Sequence, residues 1–120
     1  MTAGVLHWLF WTPRILGILF AIFISLFALD VFGEGYGPWE TVVALVMHLV
    51  PTFVVLTALA VAWRWEWVGA VLFGGLALLY VVMAWGRFPL LTYVVISGPL
   101  LLVGVLFLLN WLHRVELRTL

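Results

Sequence analysis

Four long apolar runs, separated by short polar or glycine-rich segments, dominate the chain. A transmembrane helix needs roughly 17–25 mostly apolar residues. The four runs meet that requirement and cover about residues 15–32, 39–63, 67–85 and 90–112. Because the connections between them are short, consecutive helices are expected to be antiparallel neighbours. The pattern therefore predicts an all-α polytopic membrane protein, a four-transmembrane-helix antiparallel bundle, with residues 1–120 forming a single membrane domain.

The first eleven residues are predicted to lie outside the first span, as a short helix in the membrane interface. They carry Trp8 and Trp11, and amphipathic indoles favour the interface. Thr12 and Pro13 resemble a helix start, because threonine is a good N-cap residue and proline fits the first helical position. The first span is therefore expected to begin after this pair.

Two of the predicted helices have a face that is suited to packing inside the bundle. Small residues let a neighbouring helix approach closely, and on the first helix they form one stripe: Gly17, Ala21, Ser25 and Ala28. On the second helix, one side is small or polar and is expected to face the other helices: Glu40, Ala44, His48, Pro51, Val55, Ala58 and Ala62. Pro51 should bend this helix, since it lacks the N–H that would bond to the Met47 carbonyl.

The arginines indicate an orientation. Four of the five are predicted at one end of the bundle: Arg14, Arg64, Arg114 and Arg118. Cytoplasmic loops collect positive charge. We therefore expect a multi-pass protein of the cell membrane with both termini cytoplasmic, and with the connection that holds Glu34 and the connection that holds Arg87 outside.

Composition narrows the classes of function. The chain is 68% hydrophobic and 8% charged, whereas soluble domains carry roughly a quarter charged residues. Its net charge is zero and it has no lysine, so a nucleic-acid partner is not expected. It has no cysteine, which removes disulfides and thiol catalysis. The expected partners are the lipid bilayer and either a second copy, in a homo-oligomer, or another membrane protein.

Five polar residues are the candidates for a functional role: Asp30, Glu34, Glu40, His48 and Arg87. Polar side chains at membrane depth are costly and often functional, so His48 is the sharpest signal; the alternative is a structural hydrogen bond to a neighbouring helix or to the carbonyl freed by Pro51. Asp30 either belongs to a proton or cation site or reaches up to headgroup water. Arg87 is expected to form an ion pair with at least one of the three carboxylates.

No enzymatic activity, cofactor or metal is expected. The sequence contains no nucleophile–base pair, paired-carboxylate hydrolase site or zinc motif. Glu40 and His48 are roughly 12 Å apart along a helix, too far to share one metal ion. Haem iron usually has a second axial ligand. Because His7 and His113 are predicted on the opposite side of the membrane from His48, a haem bound by two histidines is not expected.

Several strings of the sequence resemble a family of small microbial membrane proteins catalogued only as a domain of unknown function. They are ILGILFAIFISLFALDVFGEGYGPWETVVALVMHLVPT, AWRWEWVG, WGRFP and ISGPL. The resemblance covers most of the chain. It implies a four-helix membrane fold without an established activity, so it supplies no catalytic residues.

Two functions are open at this point. The first is a non-enzymatic packing or interaction subunit. The alternative is a small homodimeric proton- or cation-coupled transporter that uses Asp30 and His48. Small multidrug transporters have a similar length and helix number, but they place a carboxylate near the middle of the first helix, where this chain has Phe23 and Ile24. That difference counts against the alternative.

Overall fold

The computed structural model describes residues 2–119 and confirms the all-α four-helix fold. The elements are α1 (Ala3–Ser25), which continues as a 3₁₀ segment (Leu26–Gly33), α2 (Pro38–Arg64), α3 (Glu66–Met83), α4 (Leu90–Leu112) and the short α5 (Arg114–Leu117). Four helices, with α1 and the 3₁₀ segment counted together, are long and apolar enough to cross a membrane. The chain is a multi-pass helical membrane protein.

The first helix begins earlier than predicted. Thr2 caps it, because its hydroxyl accepts a hydrogen bond from the Val5 N–H, and α1 then runs through the segment that was expected to lie in the interface. Thr12 and Pro13 are inside the helix, and the Thr12 hydroxyl donates to the carbonyl of Trp8. The prediction of a helix start at Thr12 was therefore wrong. Met1, the first residue of the predicted interfacial segment, lies outside the described residues.

The two ends of the bundle differ in what they carry. The start of α1 contacts α5, so the described parts of both termini meet at one end, which we call the terminal end. The connection between α2 and α3 is the single residue Trp65 at that end. The opposite end, which we call the loop end, holds the 3₁₀ segment and the turn between α3 and α4.

The small-residue stripe of α1 packs inside the bundle. Gly17, Ala21 and Ala28 are buried, and a Cβ placed on Gly17 would lie 2.8 Å from Leu59 Cδ1 of α2. Lipid tails are as apolar as leucine, so helices in a bilayer associate through close packing and hydrogen bonds rather than through the hydrophobic effect. The stripe supplies the close packing between α1 and α2.

The most extensive helix contact joins α3 and α4. Gly104 brings the two backbones together, since a Cβ there would lie 3.1 Å from the Gly74 nitrogen. Phe73 and Phe107 stack beside it with their ring centroids 5.9 Å apart. The buried Ser97 hydroxyl donates to the carbonyl of Ala77 at 3.0 Å, which adds an interhelical hydrogen bond in the packed interior.

The buried residues of α2 all lie in its terminal half, although its other half still contacts the 3₁₀ segment. The buried residues of α2 lie between Thr52 and Ala62, whereas Glu40, His48 and Pro51 are exposed. The prediction that the whole small and polar side faces the bundle was therefore right for one half of the helix and wrong for the other. The physical reason is that α3 packs along α4, so α2 keeps close contact with α3 only near their short connection.

Gly69→Ala tests the close approach of α2 and α3. A Cβ on Gly69 would overlap the side chain of Ala62, and overpacking a closely packed contact costs about 1–3 kcal/mol. We expect a lower midpoint of thermal unfolding in detergent.

Gly75→Ala is the matched control, because Gly75 lies on the same helix and a Cβ there meets nothing within 4 Å. Alanine is the better helix former by up to about 1 kcal/mol, so this variant should unfold at the same temperature as the wild type or slightly above it. Equal destabilisation by both changes would contradict the packing assigned to Gly69.

Candidate functional site

The largest fully buried side chain in residues 2–119 is a charged one, Arg14. Its exposed fraction is 0%. One guanidinium nitrogen, Nη1, donates to the carbonyl of Phe10 at 2.6 Å and to Asn110 Oδ1 at 2.9 Å. The other, Nη2, donates to the carbonyl of Trp63 at 3.2 Å and lies 4.0 Å from Glu66 Oε1. We call these five residues the Arg14 cluster.

Pro13 explains why Asn110 belongs to this cluster. A proline inside a helix has no N–H to donate to the carbonyl four residues earlier, and for Pro13 that carbonyl is Leu9. Asn110 Nδ2 donates to the Leu9 carbonyl at 2.7 Å and to the Leu106 carbonyl of its own helix at 2.9 Å. The amide of Asn110 therefore satisfies the carbonyl that Pro13 frees, while its oxygen accepts from Arg14.

The cluster also stabilises the connection between α2 and α3. Trp63 is in the last turn of α2, where carbonyls lack helical partners and the helix dipole is negative, so the Arg14 cation is well placed there. Glu66 is in the first turn of α3, where the dipole favours a carboxylate. Arg14 thus contacts all four long helices near the terminal end.

Aromatic rings cover the guanidinium group. Its central carbon, Cζ, lies 3.7 Å from the ring centroid of Phe10, 5.3 Å from that of Trp63 and 5.4 Å from that of Phe107. Rings at these distances attract a cation through their quadrupole. Arg14 Nε has no hydrogen-bond partner. The other guanidinium nitrogens and the Asn110 amide all have partners within the bundle, so the cluster holds the helices together.

The sequence carried a signal for this cluster that the predictions missed. Arg14 falls on the same helical stripe as Gly17 and Ala21, the stripe predicted to face inward, but it was assigned to the arginines that set orientation. Asn110 is the only asparagine in the chain and lies inside a predicted span. Polar residues within spans are a recognised sign of helix pairing or function.

A wide groove opens between α2 and α3 toward the loop end, and we call it the α2–α3 groove. Its volume is about 960 Å³. Side chains of α1, α4 and the 3₁₀ segment also line it, and most of the lining is apolar; the polar exceptions are His48, Tyr80 and Arg87. A smaller cavity of about 380 Å³ lies between α2 and α3, and Val54 lines both.

His48 lies in this groove and not in the packed interior. It is exposed, and its ring nitrogen Nδ1 lies 2.8 Å from the carbonyl of Ala44 in its own helix. Because a carbonyl can only accept, Nδ1 is the donor and Nε2 is left without a partner in residues 2–119. The expected hydrogen bond to a neighbouring helix is absent from the described residues, because the loop-end half of α2 stands away from α3 and α4.

The four charged candidates are all exposed. The ion pair predicted for Arg87 was wrong, since within residues 2–119 the only ion pair within 4.0 Å joins Arg14 and Glu66. Of the four, only Arg87 lines the α2–α3 groove, and Asp30 is in the 3₁₀ segment. Across the described residues, no three histidine or carboxylate side chains are grouped so that they could hold a metal ion.

Breaking the Arg14 cluster should destabilise the fold strongly. Asn110→Leu leaves a buried cation without one acceptor and the Leu9 carbonyl without its donor. Leaving a buried donor or acceptor without its hydrogen bond lowers the free energy of unfolding by about 1–3 kcal/mol. We expect a clearly lower unfolding midpoint in detergent for Asn110→Leu and for Arg14→Ala.

The matched control is Arg118→Ala, an exposed arginine at the same end, which should leave the midpoint unchanged. The double variant Arg14→Ala with Asn110→Leu should lose less than the sum of the two single losses, because interacting residues are not additive. Simple additivity would show that the two side chains do not act together.

Comparison with known proteins identifies a family for the chain. A family model described as Domain of unknown function (DUF7670) matches residues 1–118, nearly the whole chain, which confirms the resemblance to a domain of unknown function. No curated protein and no solved structure matches the chain. The chain therefore belongs to the family described as Domain of unknown function (DUF7670).

Proposed function

We propose that this chain is a non-enzymatic packing or interaction subunit that acts by binding within the bilayer, and that the α2–α3 groove is its binding surface. The observation that carries the proposal is the position of His48, a polar side chain in a groove that opens among membrane-spanning helices. Its unpartnered Nε2 is costly in hydrocarbon. An occupant of the groove that brings a polar group to His48 would remove that cost.

The size of the groove supports a binding role. Binding pockets for small molecules and cofactors typically enclose about 300–1,000 Å³ and are mostly apolar with a few polar groups. The groove, at about 960 Å³ with three polar residues in its lining, has this character. It differs from the well-packed contact between α3 and α4, where glycine and aromatic residues leave no comparable space.

The non-enzymatic role is supported by what three of the four buried polar side chains of residues 2–119 do. Arg14 and Asn110 hold helices together and are engaged with one another. Ser97 is bonded to a carbonyl of α3. These side chains are occupied by structural tasks and are not directed at the groove.

The alternative is a homodimeric transporter coupled to protons or cations through Asp30 and His48. The groove supports only one of the two residues that a transporter would use, because His48 lines the groove and Asp30 does not. Our proposal expects liposomes that contain the protein to leak protons no faster than protein-free liposomes under the same pH gradient. Proton flux that is lost in both Asp30→Asn and His48→Ala would favour the transporter.

We also propose that the terminal end faces the cytoplasm. Arg64, Arg114 and Arg118 lie at the terminal end, and Arg87 lies at the loop end. Arg14 is buried, but the excess of arginines at the terminal end remains without it. Because the chain has no cysteine, single cysteines can be placed cleanly. An impermeant thiol reagent added to intact cells should label Glu34→Cys and spare Thr119→Cys; the reverse pattern would overturn this orientation.

Filling the groove tests the binding proposal directly. Val54 lines the groove, so Val54→Trp should displace the occupant. Val82→Trp is the matched control, because Val82 is an exposed valine of α3 that does not line it. After gentle extraction, native mass spectrometry should find bound lipid or protein on the wild type and on Val82→Trp, and less on Val54→Trp. Equal retention by both variants would refute binding in the groove.

A further inference from the structure

We propose that the occupant of the α2–α3 groove is an anionic phospholipid of the surrounding bilayer, with its phosphate at Arg87 and an acyl chain along the groove. This inference rests on the proposed binding role of the groove and names the partner. Three observations carry it: the charge at the rim, the depth of that charge, and the volume beneath it.

Arg87 is the only charged residue in the lining of the groove. It is exposed, and within the described chain no carboxylate lies within 4.0 Å of it. A guanidinium group presents N–H donors in a planar fork that matches two oxygens of a phosphate, and such charge-assisted pairs are stronger than neutral hydrogen bonds. The rim of the groove thus offers an unpaired cation to an anionic head.

The cation lies at the depth of the lipid headgroups. It follows the end of α3 in the turn that also holds Trp85 and Phe88. Trp85 is 77% exposed, and exposed tryptophans of membrane proteins concentrate at the boundary between hydrocarbon and headgroups. Tyr80 lies about one helical turn before α3 ends at Met83, and therefore deeper in the bundle than Arg87.

The lining changes from charged to apolar along this depth. Arg87 lies at the rim beside the apolar Met83 and Phe88. The Tyr80 hydroxyl and the His48 ring are the other polar groups of the lining, and the rest is apolar, including Phe20, Ile24 and Leu100. A phospholipid has the same order of groups along its length: an anionic phosphate, a polar glycerol region and an apolar chain. The order of polar and apolar groups along the groove therefore matches their order along a phospholipid.

The volume favours a lipid chain over a protein helix. A spanning helix about 10 Å across and 30 Å long occupies roughly 2,400 Å³, more than the total empty space of the groove, which is about 1900 Å³ including its open side. A flexible acyl chain is thinner and can follow an irregular apolar groove. A second copy of this chain is therefore a poorer match to the space between α2 and α3.

The carboxylates at the loop end favour a membrane source for the ligand. Asp30, Glu34 and Glu40 are exposed there and do not line the groove. A surface of net negative charge lowers the local concentration of soluble anions. A lipid that diffuses laterally in the bilayer enters between α2 and α3 and does not have to cross that surface from water.

The test compares lipids that differ in headgroup charge. Delipidated protein in neutral detergent is titrated with phosphatidylglycerol or with phosphatidylcholine, and bound lipid is counted by native mass spectrometry. We expect the wild type to prefer phosphatidylglycerol. Arg87→Ala should weaken phosphatidylglycerol binding roughly tenfold, as expected for loss of a hydrogen bond to a charged group, and Arg118→Ala should leave it unchanged.

The outcomes separate this inference from the proposed function. If Val54→Trp loses lipid while Arg87→Ala binds phosphatidylglycerol like the wild type, the groove is a binding surface but the anionic headgroup is wrong. If Val54→Trp and Val82→Trp bind lipid equally, the groove itself is not the site and both proposals fall. Competition by inorganic phosphate at millimolar concentration would identify a soluble-anion site and overturn the lipid source.

Discussion

The buried positive charge of Arg14 is the constraint on which the rest of the structure depends. A charge removed from water is tolerated only where hydrogen bonds and opposite charge compensate it, and no single helix could supply enough partners. Asn110 of α4, the Trp63 carbonyl of α2 and Glu66 of α3 supply them together. The four long helices are thereby held in one arrangement at the terminal end of the bundle.

Close packing continues from that end but does not extend along every helix. Gly69 and Gly104 let α3 approach α2 near their connection and α4 farther along. Since α3 stays with α4 to the loop end, α2 loses close contact with α3 beyond Thr52 and is accompanied there by the 3₁₀ segment. The α2–α3 groove is thus a consequence of where the glycines lie: a helix follows the neighbour that its small residues allow to come closest.

The two ends of the molecule consequently have different tasks. At the terminal end, the buried side chains of Arg14 and Asn110 are hydrogen-bonded to each other and to carbonyls of α1, α2 and α4. At the loop end, three polar side chains, His48, Tyr80 and Arg87, line an otherwise apolar space of about 960 Å³. Rigid support beneath an open, amphipathic groove is the arrangement that a binding surface within a bilayer requires.

The sequence by itself determined the membrane class, the number of spans, the inward stripe of α1 and the family resemblance, because apolar run length and helical periodicity are local properties of the chain. It did not place His48 correctly, it predicted an ion pair that Arg87 does not make, and it gave no role to Asn110. Periodicity tells which side chains share one side of a helix, but not whether another helix lies against that side at a given level. Only the tertiary structure decided this: α3 packs against α4, so His48 faces the groove, and Pro13 leaves the Leu9 carbonyl free for Asn110.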